Sequence, residues 1–168
     1  MDDRQKYRDM FKRHPLARTP HGRPPSAACE IGWLPLIDAA LTELDAFGVP
    51  YAVRQIKQKL GDLRLYIFSP EELSEDDQRQ WTDIIDLAEA RSRYVCEVCG
   101  KPGKLRRWDP GPLKTVCDEH AVDEYDGRIA EPVPDATLYR GSYCDGATMW
   151  AKYDPAADAW VPSEEPPR

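Results

Sequence analysis

The chain is short of histidine and contains no long apolar segment. No run of about 18 apolar residues occurs in it, which argues against a membrane-spanning helix. The opening residues, MDDRQKYRDMFKRHP, lack the apolar stretch of a secretory signal peptide, so we expect a cytoplasmic protein. Only three histidines are present, and two of them, His14 and His21, lie near the N-terminus.

Motifs that mark common enzyme sites are missing as well. The sequence has no G-x4-GK[ST], G-x-G-x-x-G or G-x-S-x-G. A general base near neutral pH is most often histidine, yet no histidine-rich strand of the type used by HNH nucleases is present. A zinc deaminase needs H/C-x-E upstream of P-C-x-x-C, and no such ligand precedes Cys96. We therefore predict a non-catalytic protein, with a nuclease-like enzyme as the least favoured alternative.

Proline and negative charge are in excess. The 16 prolines are nearly twice the ordinary share of about 5% and gather between residues 15 and 25 and after residue 131. The net charge is −7, but residues 1–27 carry seven Lys/Arg against three Asp. This composition predicts a flexible basic arm over residues 1–27 and a disordered tail over residues 163–168.

The region between these ends predicts an α+β body over residues 28–93. Leu34, Ile37, Leu41 and Leu44 follow helical spacing, and Gly48 suits the end of that helix. A second helix is predicted over residues 74–93 of SEDDQRQWTDIIDLAEARSR, with a serine cap and acidic residues in its first turn.

Strands are predicted on either side of the second helix. Residues 63–68, LRLYIF, alternate as a strand does, whereas the pattern over residues 50–60 fits either a helix or a strand. Short strands are predicted over residues 131–162, joined by a turn at DPAADA. The fold class is therefore α+β, with helices packed on a small sheet or hairpin.

Two pairs of metal-binding residues supply the strongest motif. Cys96 and Cys99 form C-x2-C, and after seventeen residues Cys117 and His120 form C-x2-H. Zn2+ favours such thiolate and imidazole ligands, and four protein ligands leave no open position for water. We therefore predict one structural zinc ion. A knuckle, a hairpin and a helix beginning near Cys117 would resemble a treble-clef finger over residues 94–130.

Basic residues near this motif allow two interpretations. They could contact nucleic acid or a partner protein, or they could balance the charge of about −1 left by three thiolates around Zn2+. The candidates in the body and in the finger are Lys57, Lys59, Arg64, Lys101, Lys104, Arg106, Arg107 and Trp108.

Aromatic residues are dense in the C-terminal segment. They could form a partner surface or cover the edge of the core, and they are Tyr139, Tyr143, Trp150, Tyr153 and Trp160. Two cysteines lie outside the metal motif. We expect Cys29 to be a buried or half-buried structural thiol and Cys144, among turn residues, to be exposed.

Several segments together resemble a known group of sequences. EIGWLPLI, QIKQKLGDLRLY, AEARS, CEVCGKPGKLR and TVCDEHA are similar to small zinc-finger proteins of phages and bacterial genomes with GW-x-PL, VKEKFGxLRFY, CxxCG and CDEH patterns. The resemblance spans about residues 30–121, and Leu60 and Leu65 stand where aromatics are common. It implies a mobile-element context and carries no activity.

Protein binding is the function that these features favour most. The closed zinc site, the missing catalytic groups, the acidic body and the aromatic C-terminal segment favour a protein-binding module. The resemblance implies that this module is a phage or prophage factor that engages a host protein, for example a defence protein. A zinc finger that binds nucleic acid is the second hypothesis. The oligomeric state is left open.

Overall fold

The computed structural model describes residues 2–134, 136–144 and 147–166, with the backbone alone of Cys144. The helices are α1 Asp3–Arg13, α2 Leu34–Asp45 and α3 Glu75–Ser92. The strands are β1 Ala17–Arg18, β2 Ala27–Ala28, β3 Tyr51–Lys59, β4 Asp62–Phe68, β5 Lys104–Arg107, β6 Leu113–Val116, β7 Glu131–Pro132, β8 Tyr139–Cys144, β9 Ala147–Asp154 and β10 Ala159–Ser163. This mixture agrees with the α+β class.

The N-terminal region is part of the folded body. Tyr7, Met10 and Phe11 form one helical stripe on α1, and all three are buried in the main core. After the helix, β1 pairs in parallel with β3. The prediction of a flexible arm over residues 1–27 was therefore wrong. The prolines follow α1 instead of interrupting it, and three apolar side chains at i, i+3 and i+4 are enough to fix a short helix to a core.

His14 fastens the end of α1 to α2. Its Nδ1 lies 2.8 Å from Asp45 Oδ2, and its Nε2 lies 2.8 Å from Asp38 Oδ1. A carboxylate on each side of this buried ring fixes its orientation through hydrogen bonds at both nitrogens. Tyr51 completes the network by donating to Asp45 over 2.9 Å. The His14 ring therefore has a structural role, which is to hold the end of α1 against α2.

The residues around position 55, which fitted both helix and strand, form a strand. β3 and β4 are antiparallel, and Val53 and Ile56 are buried on the core side. Leu60 is exposed at the turn, where it and Gly61 have φ values of 55° and 87°. Gly61 tolerates this left-handed backbone without strain, and a tight turn there holds the two strands in one hairpin.

The main core lies between this sheet and the helices. β3 is flanked by β4 on one side and by β1 and β2 on the other. The α3 helix begins after Ser74, whose side chain accepts from Asp77 N, as the sequence predicted. Trp81 of α3 is almost fully buried, with its ring 5.3 Å from Phe47 and 5.1 Å from Tyr51.

The C-terminal strands form a separate meander in the order β10-β9-β8, which confirms short strands in this segment. The meander is joined to α3 by ion pairs from Arg91 to Asp158 and from Arg140 to Asp83. Ser163, the first residue of the predicted tail, belongs to β10, and residues 167–168 lie outside the described part.

None of the described helices combines the length and the apolar character that a membrane span requires.

Replacing Met10 tests whether α1 belongs to the core. Because this side chain is fully buried, Met10→Ala should lower the free energy of unfolding by about 2–5 kcal/mol. The exposed neighbour Arg4 supplies the control, and Arg4→Ala should have a small effect. Urea unfolding followed by circular dichroism gives both values. Equal urea midpoints for Met10→Ala and the wild type would contradict the burial of α1 in the core and favour a flexible arm instead.

Candidate metal centre

The first ligand pair lies in a tight knuckle. Cys96 N donates to Lys101 O over 2.7 Å, and Gly100 N donates to Cys96 O over 2.9 Å. Gly100 has a φ of 76°, a left-handed conformation that glycine adopts without a steric penalty. The chain therefore reverses direction immediately after Cys99, which brings the side chains of Cys96 and Cys99 to one side.

The second ligand pair follows the β5–β6 hairpin. Cys117 comes directly after β6, and residues Asp118–His120 form a single 3-10 turn. The predicted helix is absent because the chain turns again at Asp123, whose carboxylate accepts from the backbone N–H groups of Tyr125 and Asp126. The knuckle and hairpin are as expected, but a treble clef is not confirmed.

The two pairs meet in one cluster. The ligand atoms of Cys96, Cys99, Cys117 and His120 all lie within 4.8 Å of one another. His120 Nδ1 is 3.2 Å from Cys117 Sγ and 3.7 Å from Cys96 Sγ, and the sulfurs of Cys99 and Cys117 are 3.8 Å apart. A disulfide would need about 2.05 Å. These four side chains could therefore bind one metal ion.

The electrostatics of the cluster favour a thiolate at Cys117. Burial alone would raise the pKa of this thiol, but hydrogen bonds from His120 outweigh burial and lower the pKa to about 7. Since the thiolate is the form that binds metal, this ligand is nearly ready at neutral pH. Nδ1 is the nitrogen of His120 that faces the sulfurs, so Nδ1 would be the metal ligand and Nε2 would carry the ring hydrogen once a metal is bound.

The knuckle rests directly on the body of the protein. A side chain at Gly32 would place its Cβ 2.2 Å from Cys96 O, so only glycine fits this contact. Gly32 N donates to Glu97 O over 2.7 Å, and Trp33 Nε1 donates to Val95 O over 2.8 Å. The sequence analysis did not predict this contact, although the adjacent Gly32-Trp33 pair was a signal of close packing.

The hairpin is also tied to the body. Thr115 donates its hydroxyl hydrogen to Gly61 O over 2.7 Å, and Gln58 donates to Leu113 O over 2.7 Å. Between them lies Glu97, which is almost fully buried and 3.4 Å from Lys114 Nζ. Burial raises the pKa of Glu97, and Lys114 opposes that shift. The metal cluster is therefore positioned by contacts with β3 and with the turn that joins β3 to β4.

The structure removes two of the predicted contact residues in the finger from the surface. Arg106 is buried, where it donates to Ala130 O and pairs with Asp118. Trp108 is buried in the small core of the finger. These two assignments as partner contacts were wrong, because the side chains of Arg106 on β5 and of Trp108 just after β5 are buried inside the finger. Lys101 is exposed but pairs with Glu119 over 2.8 Å.

The other predicted basic residues fall into two groups. Lys104 and Arg107 are exposed on β5, and no ion pair joins either of them to another described residue. Lys57 and Lys59 lie on β3, and Arg64 lies on β4, where it pairs with Asp62 and Glu89. The structure therefore does not bring the eight candidates together on one face.

The five aromatic residues of the meander differ in exposure. Tyr143 is 78% exposed, whereas Tyr153 is buried against Tyr94 with 5.6 Å between the rings. Tyr139, Trp150 and Trp160 are half-buried. Arg140 lies 4.9 Å above the ring of Trp160. Covering the core is thus the role of Tyr153, and Tyr143 alone of the five is freely exposed.

Cys29 is half-buried, and its sulfur lies 3.3 Å from the hydroxyl of Tyr7. Burial raises the pKa of this thiol to about 11, so it is a thiol at neutral pH and fits a structural role. The side chain of Cys144 lies outside the described residues, and its predicted exposure stays a prediction.

Removing one ligand should empty the centre. We expect the wild type to carry one metal ion per chain and Cys117→Ser to carry none, because the set loses a thiolate ligand whose pKa is already lowered towards neutral pH. Cys29→Ser is the matched control, since Cys29 is outside the cluster and should leave the metal content unchanged. Native mass spectrometry measures both. Wild-type protein purified without chelators and free of metal would contradict the assignment.

Replacing Gly32 should disturb the contact between the knuckle and the body of the protein. A Cβ there meets backbone atoms, which cannot move aside, so Gly32→Ala should cost about 3 kcal/mol and weaken metal binding. Gly127 has open space around it and a φ of 71°, so Gly127→Ala should cost about 1 kcal/mol. Urea unfolding and competition with a chelator give the two readouts. If Gly32→Ala bound the metal as tightly as the wild type, the contact between Gly32 and the knuckle would not contribute to metal binding.

The mobile-element resemblance remains a prediction. Comparison with protein-family models, with curated proteins and with solved structures finds no match for this chain.

Proposed function

We propose that this chain is a non-catalytic binding protein stabilised by one structural zinc ion. The donor set of three thiolates and one imidazole is the type that zinc prefers. Zinc–sulfur bonds of about 2.3 Å place two sulfurs about 3.8 Å apart in a tetrahedron, and Cys99 and Cys117 are separated by 3.8 Å. Four protein ligands close the coordination shell, so the ion serves the fold.

The placement of the histidines supports a role without catalysis. His14 is held between two carboxylates in the core, and His120 belongs to the metal cluster. His21 is exposed in the loop between β1 and β2. A general base needs a free nitrogen within reach of a substrate, and two of the three rings already use theirs in the structure.

One observation carries the binding proposal, namely a groove of about 660 Å³ next to the metal cluster. Val98, Trp108 and Val116 contribute apolar surface to it. Trp108 is 6% exposed, and its buried Nε1 has no hydrogen-bond partner among the described residues. Tyr125 at the rim is 99% exposed, which is unusual for a large aromatic side chain.

The charge around the groove indicates the chemistry of the partner. Four acidic residues line it, and they are Glu30, Glu119, Asp123 and Glu124. The one lysine in the lining, Lys114, faces Glu97. A zinc ion with three thiolates adds a further charge of about −1. A basic, extended segment of another protein therefore fits best, with its cations at the acidic rim.

The resemblance to phage and prophage proteins adds a biological context to this proposal. In that context the partner would be a host protein, such as a component of a defence system. A basic surface that normally holds nucleic acid is the kind of target that an acidic groove would occupy.

Affinity capture from a nuclease-treated bacterial lysate tests the proposal. We expect the wild type to retain a protein that is lost from Glu124→Lys with Tyr125→Ala, because these changes remove charge and contact area at the rim. Glu131→Lys is the matched charge reversal on β7, outside the groove, and should retain the partner. Crosslinks should join the partner to the groove. Recovery of no partner at any salt concentration, or equal retention by both variants, would refute the binding role.

A further inference from the structure

The sheet has a second face that the core does not cover. Residues paired across a β-ladder lie on the same face, so the register defines three rows on that side. The rows are Arg18, Ala52 and Phe68; Gln55 and Tyr66; and Ala28, Lys57 and Arg64. The alternate positions Val53, Ile56, Leu65 and Ile67 are buried in the core. We call these three rows, together with Arg54, the outer sheet face.

This outer sheet face is basic although the chain is acidic overall. Its rows contain Arg18, Lys57 and Arg64 and no carboxylate. Arg54 joins them through the bulge in β3, which places its guanidinium 4.7 Å from the centre of the Phe68 ring. Four cations from three separate segments of a chain with a net charge of −7 therefore meet on one side of one sheet.

The cations on this face are largely unpaired. Arg64 pairs with Asp62 and Glu89, but no ion pair joins Arg18, Arg54 or Lys57 to a described residue. The following row adds Lys59 opposite Asp62, and that aspartate is buried and held by Arg93. The charge of the outer sheet face is therefore available to a ligand.

Two aromatic rings lie among these cations. Tyr66 and Phe68 are 37% and 48% exposed, and they alternate along β4, so the rings stand about 6.8 Å apart along the strand. Lys57 Nζ lies 5.2 Å from the centre of the Tyr66 ring, and the Arg54 guanidinium lies 4.7 Å from the centre of the Phe68 ring. Exposed rings on a flat sheet, flanked by free cations, can stack on bases while the cations contact phosphates.

We propose that the outer sheet face binds a single-stranded nucleic acid. Bases would stack on Tyr66 and Phe68, and phosphates would bind Arg18, Arg54 and Lys57. A duplex fits poorly, because its bases are already stacked and the face is flat, with no helix that could enter a groove. This inference is separate from the acidic groove, and it holds whether or not that groove binds a protein.

Fluorescence anisotropy with labelled oligo-dT and oligo-U of about 12 nucleotides tests this site. We expect binding at low salt that weakens between about 50 and 200 mM salt, as counterion release requires. The double variant Arg54→Glu/Lys57→Glu should lower the affinity for both oligonucleotides by about tenfold, because both phosphate contacts become repulsive. The ssDNA and ssRNA arms show whether the 2′-hydroxyl contributes.

Two further variants separate this site from general electrostatics. Lys104→Glu with Arg107→Glu makes the same charge change on exposed, unpaired residues of the finger, and should leave the affinity within about twofold. Tyr66→Ala with Phe68→Ala should lower it about tenfold with little change in the salt slope, because stacking is lost and charge is kept. Unchanged circular dichroism would confirm that each variant is folded.

Several results would overturn the proposal. These are absence of salt-sensitive binding, equal losses in the sheet and finger variants, tighter binding of a duplex of the same length, and equal competition by polyglutamate. The last result would identify an acidic peptide as the ligand. Loss of the protein partner in the capture experiment leaves this measurement unaffected, so the two proposals can fail independently.

Discussion

The contact between Gly32 and the knuckle fixes the position of the metal cluster on the body of the protein. The carbonyl of Cys96 lies where a Cβ of residue 32 would be, so the knuckle can approach the body only through glycine. Trp33 then secures the approach by donating to Val95 O. Because one wall of the acidic groove comes from Val98 and another from Glu30, the same contact also sets the width of that groove.

Much of the architecture could be predicted because local rules determine it. The α2 and α3 helices, the 63–68 strand and the metal ligands follow from periodicity, capping and ligand spacing over a few residues. The packing of α1 into the core was not predicted, because a three-residue apolar stripe is a weak signal beside prolines. A helix after Cys117 was expected from acidic residues at its start, but the side chain of Asp123 offers the backbone an alternative turn.

Surface assignments were less predictable than ligands, since they depend on which side of a strand faces the solvent. Arg106 and Trp108 carry the residue types of a nucleic-acid contact, but tertiary packing turns both inward. The cations of the outer sheet face, by contrast, come together on the surface only in the folded protein. Arg18, Arg54 and Arg64 are scattered along the sequence, and only the register of β1, β3 and β4 gathers them. Charge counts alone cannot show such a separation of opposite charges.

The Gly32 contact has a consequence for how this protein can change over time. It joins backbone atoms to backbone atoms, so it places no demand on the side chains of the knuckle other than the two cysteines. The exposed Lys101, which contacts Glu119 rather than the body, can therefore be exchanged without moving the scaffold. A chain built in this way can accumulate substitutions at the exposed positions of the knuckle while its architecture is preserved.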